Sequence, residues 1–360
     1  MKLKKYLLLT ATVLLGFASC SDDDDKDIQN DFIKKTVAPA IVGEKIEFAY
    51  AMGTTSGRLG TAEAKASIAG ALGTTFDLNS YYTHRSATNL VLNGITYKSG
   101  DEVPLRTVKE TATNGDVTTA TMEEKIDEIY LNPAVAHGAN KVDMIAATLR
   151  YFYVVPEEAR GKEVYFNFSS KSSNGETASV KTPSYKISRM DMKRLINLSN
   201  TDRCYVSIEN MAAYTKAEVE SQNLMEKIDF VYIYQKKIGT YDYGHVFVST
   251  ATDSKYIAIP SVIPSNWTKV STPMEKRIDV RDAQLKGSIP NVFIDDIDFE
   301  TLDLGSAVNY TFGIQKDQGA FMKTANGQYA AYIYMNSIEQ DSNKEDTGNV
   351  TISIKRLKLK

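Results

Sequence analysis

The sequence predicts a mainly β protein built as two tandem β-sandwich domains of immunoglobulin-like architecture, with a few short helices and an internal duplication. Three observations point there. Many short runs alternate apolar and polar residues, and Gly, Asn, Ser and Pro interrupt them at short intervals. A seven-residue string occurs twice, far apart. The chain is 360 residues long, more than one hydrophobic core usually serves, so two domains are expected. Tyr is abundant (21 residues, against one Trp), which suits strands and half-wet surfaces. The paired Cys around a Trp of true immunoglobulin domains is absent, so the likeness is architectural.

Lys2, Lys4 and Lys5 form a basic segment, and Tyr6 to Ser19 is mostly apolar. At about 1.5 Å per residue that run makes a helix of roughly 20 Å, short of the roughly 30 Å hydrocarbon core, so a cleaved signal over residues 1–19 is expected. Small Ala18 and Ser19 precede Cys20, although Phe17 stands where a lipoprotein processing site usually has Leu. Cleavage would leave Cys20 as the N-terminus, ready for acylation. Two or three acyl chains, at about 0.8 kcal/mol per buried methylene, hold a protein stably at a membrane. The run Ser21, Asp22, Asp23, Asp24, Asp25 follows directly, and residues 20–35 read as an extended acidic tether. The plainer alternatives are an ordinary secretory signal and a solvated spacer.

The string from Cys20 through Asp25 resembles the export tag of Bacteroidetes surface lipoproteins, in which acidic residues behind the lipidated Cys direct the protein to the outside of the outer membrane. That resemblance implies an outer-membrane, lipid-anchored protein facing the cell exterior.

The body divides by its repeat into residues 36–196 and 200–360. Glu44-Lys45-Ile46-Glu47-Phe48-Ala49-Tyr50 returns as Glu226-Lys227-Ile228-Asp229-Phe230-Val231-Tyr232. Gly161 to Phe168 returns more loosely as Gly327 to Tyr334. Each half then closes on a strand, Tyr185 to Ser188 and Val350 to Ser353. Further strands are expected at Leu90–Leu92, Leu149–Val155, His245–Thr250, Tyr256–Ile259, Val292–Ile294 and Val308–Phe312. Helices are expected at Ala-rich Thr61–Leu72, at Thr121–Tyr130 and after Thr215, the last two opening with a capping-box pattern. Ser188–Leu198 reads as a helical connector entering the boundary at Asn197–Asn200.

Catalytic signatures were sought in vain. The sequence has no Gly-rich phosphate loop, no His-Glu-x-x-His or Cys-x-x-Cys pattern, and no Gly-x-Ser-x-Gly elbow. No cofactor is implied and no catalytic residue is assigned. His84, His137 and His245 are scattered. Removing the three N-terminal lysines takes the net charge from −3 to about −6, which gives nucleic acid nothing to bind. With Cys20 acylated, Cys204 has no partner, and its strand-like surroundings predict a buried structural thiol.

Two features remain as candidate sites. Asp295, Asp296, Asp298 and Glu300 form the densest acidic cluster of the body. Read as a strand, Asp296, Asp298 and Glu300 point one way while Ile297 and Phe299 point inward. The cluster is a solvated face, a weak calcium site or a glycoside-cutting carboxylate pair. The second feature is aromatic. Trp267, in the loop-like Pro264-Ser265-Asn266-Trp267-Thr268, is expected to expose its ring, as are Tyr81 with Tyr82 and Tyr241 with Tyr243. Exposed rings stack on sugars or anchor protein partners.

The segments Ile228 to Tyr234 and Tyr185 to Met192 resemble those of two-domain Bacteroidetes surface lipoproteins. The resemblance covers most of the body and implies no enzyme. It implies a non-catalytic accessory that binds a glycan or another nutrient at the cell surface, with a glycan or an outer-membrane protein as partner. A structural or adhesive subunit and a lipid-binding protein are the alternatives, and a hydrolase is the remotest.

Overall fold

The computed structural model describes residues 27–127, 141–143, 145–235, 244–252, 262–287, 289–340 and 348–360. Ten strands build the sandwich of the first half: β1 (Ile28–Lys34), β2 (Lys45–Thr54), β3 (Leu59–Ala66), β4 (Thr75–Thr83), β5 (Glu102–Arg106), β6 (Val108–Asn114), β7 (Val117–Met122), β8 (Ala146–Val154), β9 (Phe166–Ser172) and β10 (Thr177–Lys181). They form two five-stranded antiparallel sheets, ordered β1-β2-β8-β4-β5 and β10-β9-β3-β7-β6. The sheets close over an aromatic core. Phe48 of one sheet and Phe166 of the other have ring centroids 4.8 Å apart, and Tyr50 stacks on Phe168 at 5.0 Å.

Ile28–Lys34, expected as part of the acidic tether over residues 20–35, is instead the edge strand β1. Ile28 is buried, and Phe32 lies 5.8 Å from Phe168, so alternate apolar side chains pin this segment to the sandwich. The helix expected at Thr61–Leu72 is strand β3 in its first part. Ala62, Ala64 and Ala66 all face the core. Their period is two, and small side chains there leave room for the Phe rings, so packing overrides the helix propensity of Ala. The helix expected at Thr121–Tyr130 is likewise absent from its described part, where β7 ends at Met122 and Lys125–Asp127 forms a short hairpin arm with Lys141–Asp143.

The second half also has ten sandwich strands: β11 (Asp191–Ser199), β12 (Tyr205–Ser207), β13 (Ala212–Tyr214), β14 (Phe230–Gln235), β15 (Gly244–Val248), β16 (Met274–Arg277), β17 (Tyr310–Thr311), β18 (Gly319–Lys323), β19 (Tyr329–Gln340) and β20 (Gly348–Lys358). The two sheets are ordered β11-β20-β19-β18-β16 and β13-β12-β14-β15-β17. Helix α1 (Lys216–Ser221) opens with the expected capping box: Thr215 Oγ1 accepts from Glu218 N at 3.2 Å, and Glu218 Oε2 accepts from Thr215 N at 2.8 Å. Helix α2 is Asp296–Glu300. Val292–Ile294 is irregular rather than a strand, and Tyr256–Ile259 lies outside the described residues.

Strand order separates the halves. Taken within its half, the first repeated string lies in the second strand, beside the edge. The second string begins in a 3-10 turn (Met225–Lys227) and continues into the fourth strand, at the centre of its sheet. The sheet orders have no common pattern, so the expected duplication is not carried into the ladders. The strings are alike because amphipathic strands with Ile, Phe and Tyr are alike.

The expected connector Ser188–Leu198 is instead β11, paired with β20 in the second half. Its alternation was disguised by a bulge: the register shifts between Lys193 and Ile196, and Leu195 has φ +59°. The bulge turns Arg194 towards the first half, where its two terminal nitrogens each lie 2.8 Å from a Glu44 carboxylate oxygen. The sheet containing β19 and β20 is covered on both faces. One face meets the other sheet of its sandwich. The opposite face, with Tyr332, Tyr334 and Leu357, meets a layer made by Leu285, Ile294 and Phe299 together with Ile41 from the first half. That shared layer joins the two halves.

Candidate functional site

The expected aromatic site does not form around Trp267. The ring is only 4 % exposed and packs against Tyr205 with centroids 5.1 Å apart. The loop residues Pro264, Ser265 and Asn266 are the polar rim of a turn whose Trp is folded inward. Its largest apolar surface gains most from burial. Tyr81 and Tyr82 are half-buried on β4. The Tyr81 hydroxyl donates to Asp77 Oδ2 at 2.8 Å and its ring is covered by the Arg150 guanidinium at 5.1 Å. Burial, then the Asp77 contact, pushes that hydroxyl up to about 12. Tyr82 is also raised, by burial and then by Tyr97. Tyr241 and Tyr243 lie outside the described residues, as do Cys20, Ser21, Asp22, Asp23, Asp24 and Asp25.

The acidic cluster is not an exposed strand face. It forms α2, where Asp295 and Asp298 make a reciprocal cap, with Asp295 N donating to Asp298 Oδ2 at 2.8 Å. Asp296 is buried, accepting from Ser188 Oγ and, at 3.1 Å, from Arg189 N, while Glu300 pairs with the Arg189 guanidinium. Ile297, expected inside, is 62 % exposed. Helical spacing puts Asp296 and Glu300 towards Ser188 and Arg189, so these acids fasten α2 to the segment that leads into β11. Among the described residues no group of three or more His, Cys, Asp or Glu side chains could hold a metal ion. His84 and His245 lie in different halves, each bonded locally: His84 Nε2 to Thr88 O and His245 Nδ1 to the Tyr232 hydroxyl, both at 2.8 Å. His137 lies outside the described residues.

Two cavities have a buried carboxylate on their walls. One, of about 400 Å³, lies at the junction of the halves and is lined by Val37, Lys186, Phe293, Asp295, Asp296 and Ile297, among others. Its one buried carboxylate, Asp296, already has its hydrogen bonds. The other, of about 160 Å³, lies in the second half. Its walls are Glu209 beyond β12, Glu226 and Lys227 in the 3-10 turn, Asp229 before β14, Lys269 and Ser271 from the Trp267 loop, and Thr324, Asn326 and Tyr329 from the β18–β19 turn. That turn is tight because Gly327 takes φ +65°, and Thr324 Oγ1 accepts from Tyr329 N at 3.0 Å. Trp267, anchored from beneath, sets the position of Lys269 and Ser271 two and four residues later.

Asp229 makes the smaller cavity distinctive. Its side chain is 95 % shielded, and Oδ2 accepts from Ile208 N at 2.7 Å. Oδ1 takes no hydrogen bond from any described residue, and no Lys or Arg pairs with the carboxylate. Burial pushes the carboxyl up to about 7; the Ile208 amide opposes this, and nearby Glu209 adds to it. Lys227 is occupied by Glu209 at 2.9 Å, and Lys269 Nζ donates to Pro264 O at 3.1 Å. The Tyr329 ring is backed by the Arg356 guanidinium at 4.7 Å, itself bonded to Asp191 and to Ile208 O. A buried, under-bonded carboxyl beside hydroxyl and amide groups is chemistry for holding a small polar ligand. Sequence reasoning missed it because period two put Asp229 outward. In fact Ile228, Asp229 and Phe230 are all buried, and the run of large apolar residues after Asp229 was the available sign of a strand covered on both faces.

Comparison with known proteins fits this architecture. The family described as Domain of unknown function (DUF4466) matches residues 25–187, and the family described as Domain of unknown function (DUF8576) matches residues 188–359. The change between them falls just upstream of β11. A crystal structure of a DUF4466 family protein from Parabacteroides merdae is 38 % identical, with a TM-score of 0.76, over 93 % of this chain and 99 % of that one. The pilin subunit BcpA of Bacillus cereus is 7 % identical at a TM-score of 0.25, over 90 % of this chain and 65 % of that one, too distant to carry an argument. No curated protein matches. At that identity over nearly the whole of both chains, this protein belongs to the DUF4466 family, with a DUF8576 domain as its second half.

Proposed function

We propose that this is a non-catalytic, surface-exposed lipoprotein that captures a small polar ligand, a glycan or another nutrient, in the pocket around Asp229. The observation that carries the reading is the buried carboxyl of Asp229 with one oxygen left without a partner on the pocket wall. That oxygen opens onto the pocket and is free to accept a hydrogen bond from whatever enters it. At about 160 Å³ the pocket admits part of one sugar, such as a single polar substituent with its ring edge. Ser271, Thr324 and Asn326 supply hydroxyl and amide groups of the kind that bind sugar hydroxyls.

Lipid attachment at Cys20 and export to the outer face of the outer membrane complete the proposal, supported by the signal-like residues 1–19 and the Asp22–Asp25 run. From Cys20 to Asp27 the chain can reach at most roughly 25 Å, so the body would stand close to the membrane. Among the described residues no helix is long and apolar enough to cross a membrane.

Two experiments test these parts separately. Glycan-array screening followed by calorimetry should identify a ligand whose affinity falls at least about tenfold in Asp229→Ala, a loss of about 1.4 kcal/mol. Unchanged affinity in that variant would remove the pocket from the proposal. Metabolic labelling with a palmitate analogue should mark the protein and spare Cys20→Ala. Equal labelling of both would end the anchor reading.

A further inference from the structure

Resting on the reading that the Asp229 pocket binds a ligand, we propose that the ligand carries a protonated amine, as an amino sugar does, and that its ammonium group bonds to Asp229 Oδ1. The pocket contains three carboxylates (Glu209, Glu226, Asp229) and two lysines (Lys227, Lys269). Lys227 is committed to Glu209 and Lys269 reaches the Pro264 carbonyl, which leaves Glu226 and Asp229 without a cationic partner among the described residues. Arg356, behind the Tyr329 ring, is held by Asp191 and the Ile208 carbonyl. Nothing on these walls neutralises a charge on Asp229.

An isolated buried carboxylate is costly, and a bare carboxylic acid wastes the site's acceptor capacity. An ammonium ion resolves both, because it brings three donors and the missing positive charge into a shielded site. A neutral sugar hydroxyl offers a donor without the charge. Glu226, exposed at the mouth, adds a second negative group along the approach. The proton balance follows. Below neutrality Asp229 is largely protonated in the empty pocket, as its burial requires. The arriving ammonium keeps its own protons, Asp229 releases its proton to the buffer, and the two opposite charges remain together.

The test is calorimetry of the full chain with glucosamine, glucose and N-acetylglucosamine at pH 6, repeated in buffers of different ionisation enthalpy. Glucosamine should bind at least about tenfold more tightly than the two neutral sugars and release close to one proton per site. Asp229→Asn should abolish both the preference and the proton release. Glu226→Gln, an exposed substitution that leaves the core alone, should weaken glucosamine severalfold while the proton release persists. Equal affinity for all three sugars, or an array hit limited to neutral glycans, overturns the amine class and leaves the pocket's role standing. Failure of every array ligand to bind overturns the binding reading beneath it.

Discussion

Lys355 Nζ lies 2.6 Å from Asp282 Oδ2, and neither side chain has any exposed surface. The pair is built into the layer that covers the outer face of the β19–β20 sheet. Lys355 also donates to Ile294 O at 3.0 Å, while Asp282 accepts from the backbone N–H groups of Gln284, Leu285 and Ile294. Burial lowers the Lys355 ammonium from its ordinary range, against the pull of Asp282. Both Asp282 oxygens and two of the three ammonium hydrogens are therefore engaged, and such bonding lets a buried ion pair be tolerated. Lys355→Met leaves Asp282 charged and buried, and should cost about 3–5 kcal/mol in urea unfolding monitored by circular dichroism. A loss below about 1 kcal/mol would show that Asp282 is satisfied without its lysine.

Asp229 should make stability depend on pH. Its carboxyl is pushed up to about 7 in the fold, above the ordinary value of 3.8, so the folded state holds the proton more tightly. The contribution of Asp229 to stability is then greatest below about pH 4, falls as the pH rises towards about 7, and levels off above that. The full difference is on the order of 4 kcal/mol. Asp229→Asn keeps an acceptor for Ile208 N and should flatten this profile, gaining stability at pH 8 relative to the unmodified chain. Thermal unfolding between pH 4 and pH 8 would show parallel curves if Asp229 titrated normally.

Trp267 is the chain's one Trp, so fluorescence reads its surroundings directly. Packed on Tyr205 and nearly fully buried, it should emit at short wavelength and resist iodide quenching until the second half unfolds. Trp267→Ala should cost about 3–5 kcal/mol. Free quenching in the native protein would place the ring at the surface.

Cys204 is free and buried, and burial pushes its thiol up to about 12. It should not react with a thiol reagent at pH 8 in the native state and should react once denaturant is added. Rapid native labelling would contradict its place between the sheets.

Arg194 and Glu44 join the halves through a bidentate pair that is partly exposed, at 28 % and 31 % of the two side chains. A double-mutant cycle of Arg194→Ala and Glu44→Ala should return a coupling of about 0.5–1 kcal/mol, decreasing with salt. Zero coupling at low salt would remove this contact from the junction.

Much of the fold was legible in residue order, and the misreadings have specific causes. The alternation of Ile46, Phe48 and Tyr50 marks β2 without help, and Thr215 with Glu218 marks the start of α1. Ala62, Ala64 and Ala66 read as helix because their residue type outweighs their period, and β11 hides as a strand because a bulge at Leu195 breaks its period. The candidate site was hidden more deeply. Aromatic residues in polar loops suggested exposure, yet Trp267 turned inward. The useful group was Asp229, an unremarkable member of a strand string.

By itself, the sequence determined the β-rich class, the two-domain organisation and the local caps and turns, because those depend on periodicity and on side chains within a few residues of one another. It also supplied the lipidation and export readings at Cys20 and Asp22–Asp25, whose signals are linear. Tertiary structure decided what the outward face of each strand meets. Burial on both faces of β19 and β20, the shielding of Asp229, the pairing of Lys355 with Asp282 and the use of Asp296 as a clasp all depend on residues more than a dozen positions apart in the chain, or many times that. Period-two alternation states that a strand has two faces, and only the assembled layers state whether the second face meets water.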